Sequence, residues 1–253
     1  MLITAGIFFI TAVLYASVGY GGGSTYNAVL AMSGIDYRLM PVLALACNII
    51  VVTGGCIRFA RLKIMPWRGA LVLTAIAAPA AFLGGLTPID KHPFLLILGA
   101  SLVVTGVTLL IPVRKASADG ETSEDVEPTR YARFMPLLVA PIGYLAGLVG
   151  IGGGIFLAPF LHLVRWNKAR AIAATASLFI LVNSLFGLAG QLLKGGADNL
   201  STAVTLGLPL LIAVTIGGQI GSLLASRILP ATWIRWLTAA LTLWVGGRLL
   251  LGL

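Results

Sequence analysis

Two short stretches hold the residues best suited to binding chemistry: Gly19-Tyr-Gly-Gly-Gly23, followed by Ser24 and Thr25, and Gly150-Ile-Gly-Gly-Gly154. Each is a Gly-x-Gly-Gly-Gly cluster inside an apolar run. Glycine costs a helix roughly 1 kcal/mol per residue relative to alanine, so both runs are expected to break there. Broken backbone at membrane depth persists only where protein buries it or where it lines a polar cavity. A half-helix that restarts after such a break carries about half a positive charge and unpaired N–H groups at its N-terminus. Glycine also lets the main chain approach a ligand without a Cβ in the way, and adopt the positive φ that anion-cradling nests require. The chemistry these residues suit is capture of a small anion, of phosphate, sulfate-like or carboxylate type, by main-chain donors. Gly19, Gly21, Gly22, Gly23, Gly150, Gly152, Gly153 and Gly154 are the candidates, with Ser24 and Thr25 at the start of the first half-helix.

Neutral polar side chains in the following spans could complete the cage. These are Asn48 and Thr53 in the first half, Thr175, Ser177 and Asn183 in the second, and Gln219 as a buried donor one span later. Polar groups placed mid-span are expensive and face a cavity or another helix; interhelical hydrogen bonding is their alternative use. No Asp or Glu falls in a predicted span, which argues against proton coupling through a carboxylate. Cys47 and Cys56 stand nine residues apart in one apolar run, on opposite helix faces. They form neither a disulfide nor a metal site, and no cofactor is expected. Serine proteolysis would need a Ser and a His paired at membrane depth. His92 and His162 lie at span ends, so no catalytic residue is assigned.

The elements that must position these residues follow from composition. Of 253 residues, 58% are hydrophobic and 10% charged, with mean hydropathy +1.01, against soluble averages of about 45–50% and about 25%. The chain is an all-α polytopic membrane protein, with room for seven to nine crossings of about 20 residues each. Its net charge of +9 reads as topology signals flanking the spans, and nucleic acid is not an expected partner. Residues 1–34 form a first arm of about 18 residues and a half-helix from Ser24 to Gly34. Spans follow at about 39–59, 69–88 and 93–112. Residues 113–134 are a polar linker holding five of the eight acids, Asp119, Glu121, Glu124, Asp125 and Glu127. The pattern then restarts, with a broken segment at 135–164 and spans at about 171–193, 203–226 and 232–251. Residues 1–112 and 135–253 are thus two repeats, each a broken-helix hairpin followed by three transmembrane helices. The glycine clusters overlay at an offset of 131 residues, and Thr53-Gly54 is expected to overlay Asn183-Ser184. Glycines elsewhere, such as Gly54-Gly55, Gly84-Gly85, Gly217-Gly218 and Gly246-Gly247, are read as helix-packing residues.

If each broken segment is a hairpin that returns to its own side, thirteen Lys and Arg collect on one side, leaving Arg38, Lys91, Lys194 and Arg248 on the other. If each crosses once, the split is ten to seven. The positive-inside rule prefers the hairpins. The halves are then inverted, the linker is cytoplasmic and both termini are outside, as in transporters built from inverted repeats.

The paired clusters at 19–23 and 150–154, with Ala-Thr-Ala-Ser-Leu at 174–178 and Asn183-Ser-Leu-Phe-Gly187, resemble the TauE/SafE family of sulfite and organosulfonate exporters. The resemblance runs over about residues 5–250, although Leu45-Ala-Cys-Asn48 replaces the family's Thr-Ser-type pattern in the first half. It implies a prokaryotic inner-membrane transporter that exports small sulfur oxyanions or sulfonates, such as sulfite or sulfoacetate. The membrane potential, inside negative, would drive an anion outward by about 2.3 kcal/mol per charge per 100 mV. The expected partners are the small anionic substrate and the lipid bilayer, and a homodimer is compatible with the reading. An anion channel, or a carrier for another small oxyanion or carboxylate, is the alternative.

Overall fold

A computed structural model describes residues 2–18, 21–110, 135–164, 166–223 and 231–252. The linker at 113–134 and Gly19 lie outside these residues. All regular structure within them is helical. The first half contains α1 (Leu2–Val18), α2 (Gly23–Met32), α3 (Met40–Arg61), α4 (Trp67–Leu86) and α5 (Lys91–Leu110). In the second half α6 (Met135–Val149), α7 (Gly154–Leu163), α8 (Ala169–Leu223) and α9 (Ala231–Leu250) follow. Long helices α3, α4 and α5 each reach 20 residues or more, enough at 1.5 Å per residue to cross about 30 Å of hydrocarbon. By contrast α2 and α7 have 10 residues each and reach about half that depth.

The break before α2 makes a hairpin. Tyr15 Oη meets Thr25 Oγ1 at 3.0 Å, Phe8 stacks on Tyr26 at 4.6 Å, and Thr4 Oγ1 lies 3.4 Å from Ser33 Oγ. That ladder runs α2 antiparallel to α1 and returns the chain to the end it started from. In the second half, Trp166 packs on Gly69, which puts the basic stretch after α7 at the same end of the bundle as Arg58, Arg61 and Arg68. This is the grouping the hairpin count requires.

Apolar stretches from Arg170 to Gly195 and from Ser201 to Leu223 are both long enough to span, and both belong to α8. They run in opposite directions. A methyl group at Gly187 would lie 3.4 Å from Leu45, while Ile180 and Val52 both border Gly21, so rising numbers in the first arm meet falling numbers in α3. In the second arm Gly207 faces Leu43 and Gly218 faces Val51. The chain therefore doubles back between the arms, as two successive spans must.

Small residues set the packing. Gly84 of α4 lies on the backbone of Tyr144 in α6, and Gly221 of α8 lies on that of Val13 in α1, which is one contact made twice at matching places. Gly106 meets Leu243, and Gly246 meets Val103. The contacts exchange as they would about a local two-fold. Helices at matching places, α3 with the first arm of α8 and α5 with α9, pass each other antiparallel. Gly54 and Gly247, read from sequence as packing glycines, have no atom within 4 Å of where a Cβ would sit, so only one member of each of these pairs packs.

Candidate functional site

Gly22 is the N-cap of α2 and Gly153 that of α7, and neither first turn has a side-chain cap. The leading N–H groups of both half-helices are left without an intrahelical partner. The two starts touch: the Ile151 carbonyl presses on Gly23, where a Cβ would collide with it. Asn27 on α2 donates from Nδ2 to Gly150 O at 3.1 Å and to Gly23 O at 3.1 Å, tying the first half-helix to the second turn.

Asn48 stands between the turns because α3 passes beside both. Its Nδ2 donates to Ile151 O at 3.3 Å. A methyl at Gly21 would lie 2.8 Å from its Oδ1, and one at Gly152 would lie 2.9 Å from its Nδ2. Ile180 of α8 forms the facing wall, 3.1 Å and 3.0 Å from the same two positions, and Ser184 Oγ lies 3.2 Å from the one at Gly152. Ile180, Asn183, Ser184 and Gly187 share one helix face by their spacing. Asn48, Asn183 and Ser184 are 0% exposed. Asn48 Oδ1, both polar atoms of Asn183, Ser184 Oγ and Asn27 Oδ1 have no hydrogen-bond partner within the chain. Leaving a buried polar atom unpaired costs about 1–3 kcal/mol, so such a group of atoms calls for an explanation. Together they can donate to and accept from a small polar guest.

Several expected candidates are placed elsewhere. Gln219, expected to be buried, is exposed, because the second arm of α8 turns Gly217 and Gly221 toward α1 and leaves position 219 on the outer face. Thr53 is half-buried and bonds back to Ile49 O, and Val52, not Thr53, stands where Ser184 stands in the other half. Thr175 is buried but bonds to Ala171 O at 2.9 Å, off the face that carries Ile180. Ser177 shares that face and bonds to Ala173 O at 3.0 Å. Thr25 is joined to Tyr15, whose hydroxyl also meets Thr238 of α9 at 2.6 Å. Ser24, by contrast, stays at the site: it is 1% exposed in the first turn of α2, and its buried Oγ has no hydrogen-bond partner. Among the described residues, the positive φ expected of both clusters occurs in the second alone, at Gly150 (82°), Gly152 (82°) and Gly153 (77°). Asn27, Ser184 and Ile180 were missed as contacts. The i, i+3, i+4, i+7 spacing from Ile180 was the available signal for Ser184.

Above the site lies a cleft of about 580 Å³ lined by Tyr37, Arg38, Pro41, Asp90, Leu148, Gln191 and Lys194. Pro41 presses on Gly150, so a single layer separates the cleft from the glycine turns. Gln191 donates to Gly147 O and Leu148 O at 2.9 and 3.1 Å, satisfying the last carbonyls of α6. Arg38 lies over Tyr37 at 5.6 Å, and the Tyr37 hydroxyl that accepts from its Nε holds the guanidinium pKa above its ordinary value. The cleft therefore keeps its cation at any physiological pH.

A bundle of apolar spans with two half-helices meeting beside buried neutral polar groups is the architecture of a multi-pass membrane transporter. Residues 4–249 match the family model described as Sulfite exporter TauE/SafE, and the chain belongs to that family. It is 34% identical over 245 residues to a probable membrane transporter protein of Sinorhizobium fredii, covering 96% of this chain and 95% of that one. A probable membrane transporter protein of Methanocaldococcus jannaschii is 23% identical over 247 residues, with 90% and 88% covered. One from Bacillus subtilis is 22% identical over 226 residues, with 81% of each covered. No solved structure matches the chain.

Proposed function

We propose that this protein exports small sulfur-containing anions, such as sulfite or an organosulfonate, across a prokaryotic cell membrane. Transport proceeds by alternating access between two inverted repeats, residues 1–112 and 135–253, joined by a cytoplasmic linker. One observation carries the reading: the uncapped N-termini of α2 and α7 meet beside buried donors without a partner in the chain, the Ser184 hydroxyl facing Gly152 and the Asn183 amide on the same helix face. Two helix N-termini and neutral donors hold an anion without a buried cation. The antiparallel passage of α3 beside the first arm of α8 supports the inversion. The cleft carrying Arg38 and Lys194 lies at the end with fewer cations, the outer end by the positive-inside rule, and serves as the exit.

Efflux of sulfite from proteoliposomes tests this. Wild-type protein is expected to give saturable efflux, and Asn48→Leu, inserted at equal level, to lose it. Equal efflux from both proteins would remove the site, and ohmic single-channel currents would replace the carrier with a channel.

A further inference from the structure

We infer that the site between the glycine turns accepts oxyanions only in their singly charged form, so the species carried is a sulfonate or hydrogen sulfite, not a dianion of the same shape. The inference rests on the proposed anion site and specifies its ligand. Every fully buried polar side chain among the described residues is a Ser, Thr, Asn or Gln. The charged groups on the elements that border the turns stand at their ends: Arg58 and Arg61 at the end of α3, Arg170 and Lys194 at the two ends of the first arm of α8. His162 stands at the end of α7 in the same way. Among the described residues, the titratable groups nearest the turns are Tyr15, Tyr26 and Cys47, all buried and neutral when protonated.

The positive potential at the site therefore comes from two helix starts, each worth about half an elementary charge. Their sum balances one negative charge. A second would sit in a low-dielectric surrounding with nothing opposite it, and such a charge is expelled or takes up a proton. Methanesulfonate presents one charge at every accessible pH. Sulfite presents one only below its second ionisation, near neutrality, whereas sulfate keeps two.

The test is thermal stabilisation of the purified full-length protein by methanesulfonate, sulfite and sulfate, each titrated from mildly acidic to mildly alkaline pH. A ligand of the folded state raises its apparent stability. Methanesulfonate is expected to bind with one affinity throughout. Sulfite is expected to weaken about tenfold per pH unit above its second ionisation, and sulfate to bind about tenfold or more weaker than methanesulfonate. Sulfate binding as tightly as methanesulfonate would overturn the inference while leaving the anion site in place. So would methanesulfonate weakening in parallel with sulfite, which would put the titrating group on the protein. Stabilisation by none of the three at any pH would remove the anion site itself, and the inference with it.

Discussion

At Gly21, Gly22 and Gly23 the backbone avoids positive φ altogether, whereas Gly150, Gly152 and Gly153 all hold φ near 80°. The first turn needs glycine for room. A Cβ at Gly23 would collide with the Ile151 carbonyl and the Asn48 amide, and one at Gly21 would sit 2.8 Å from Asn48 Oδ1. In the second turn glycine is needed for conformation as well as room, since left-handed backbone costs other residues about 1–2 kcal/mol each and a Cβ at Gly150 would also crowd Pro41. The same five letters thus serve two physical ends. Side chains around the turns differ in a complementary way: the polar Asn48 of the first half faces Ile180 of the second, and Ser184 of the second takes the place of Val52 of the first. Each half contributes polar atoms where the other contributes wall.

Substitutions can break or sharpen that contrast. The largest effect is expected from Gly23→Ala. Its clash is with main chain of the other half and cannot relax by a rotamer change, and displacement of about 1 Å at such a site costs about 100-fold in turnover; proteoliposome efflux at matched insertion checks it. Next comes Gly152→Ala, which meets both crowding and strain. It should lower folding stability by about 1–2 kcal/mol and reduce efflux, and Gly153→Asn should be milder than Gly153→Ala because Asn tolerates left-handed backbone. If Gly23→Ala is as mild as Gly22→Ala, the first turn is not limited by space.

Smaller effects separate binding from folding. Asn183→Leu removes two unpartnered buried atoms, so the melting temperature without anion should hold or rise, while anion-dependent stabilisation falls about tenfold. A melting temperature that drops instead would show that Asn183 is paired within the fold. Gly22→Ala has side chains as its nearest neighbours, the Thr11 methyl and the Tyr26 ring at 3.0 Å, with φ of −91°, so efflux should change by less than about twofold. Gly54→Ala, with open space around it, should be silent.

Much of the fold was legible because long apolar runs and polar interruptions measure out spans directly. Predicted spans at 39–59, 69–88 and 93–112 end within a few residues of α3, α4 and α5. The duplicated glycine clusters disclosed both helix breaks, and the distribution of Lys and Arg favoured the hairpins. The site was less legible, for a physical reason. Helices apolar all round carry no polar face to orient them, so sequence did not tell that Asn48 faces the turns while Thr175 turns away and Gln219 is exposed. Composition is equally silent on whether a glycine is needed for space or for φ, so the difference between the two turns was invisible before their backbones were compared.

The central claim, that an anion sits where α2 and α7 begin, is tested most directly by anomalous diffraction from crystals grown with bromomethanesulfonate. The account predicts a bromine peak between Gly21–Gly23 and Gly152–Gly154, beside Asn48. A peak confined to the cleft near Arg38 and Lys194, or none at saturating ligand, would contradict it.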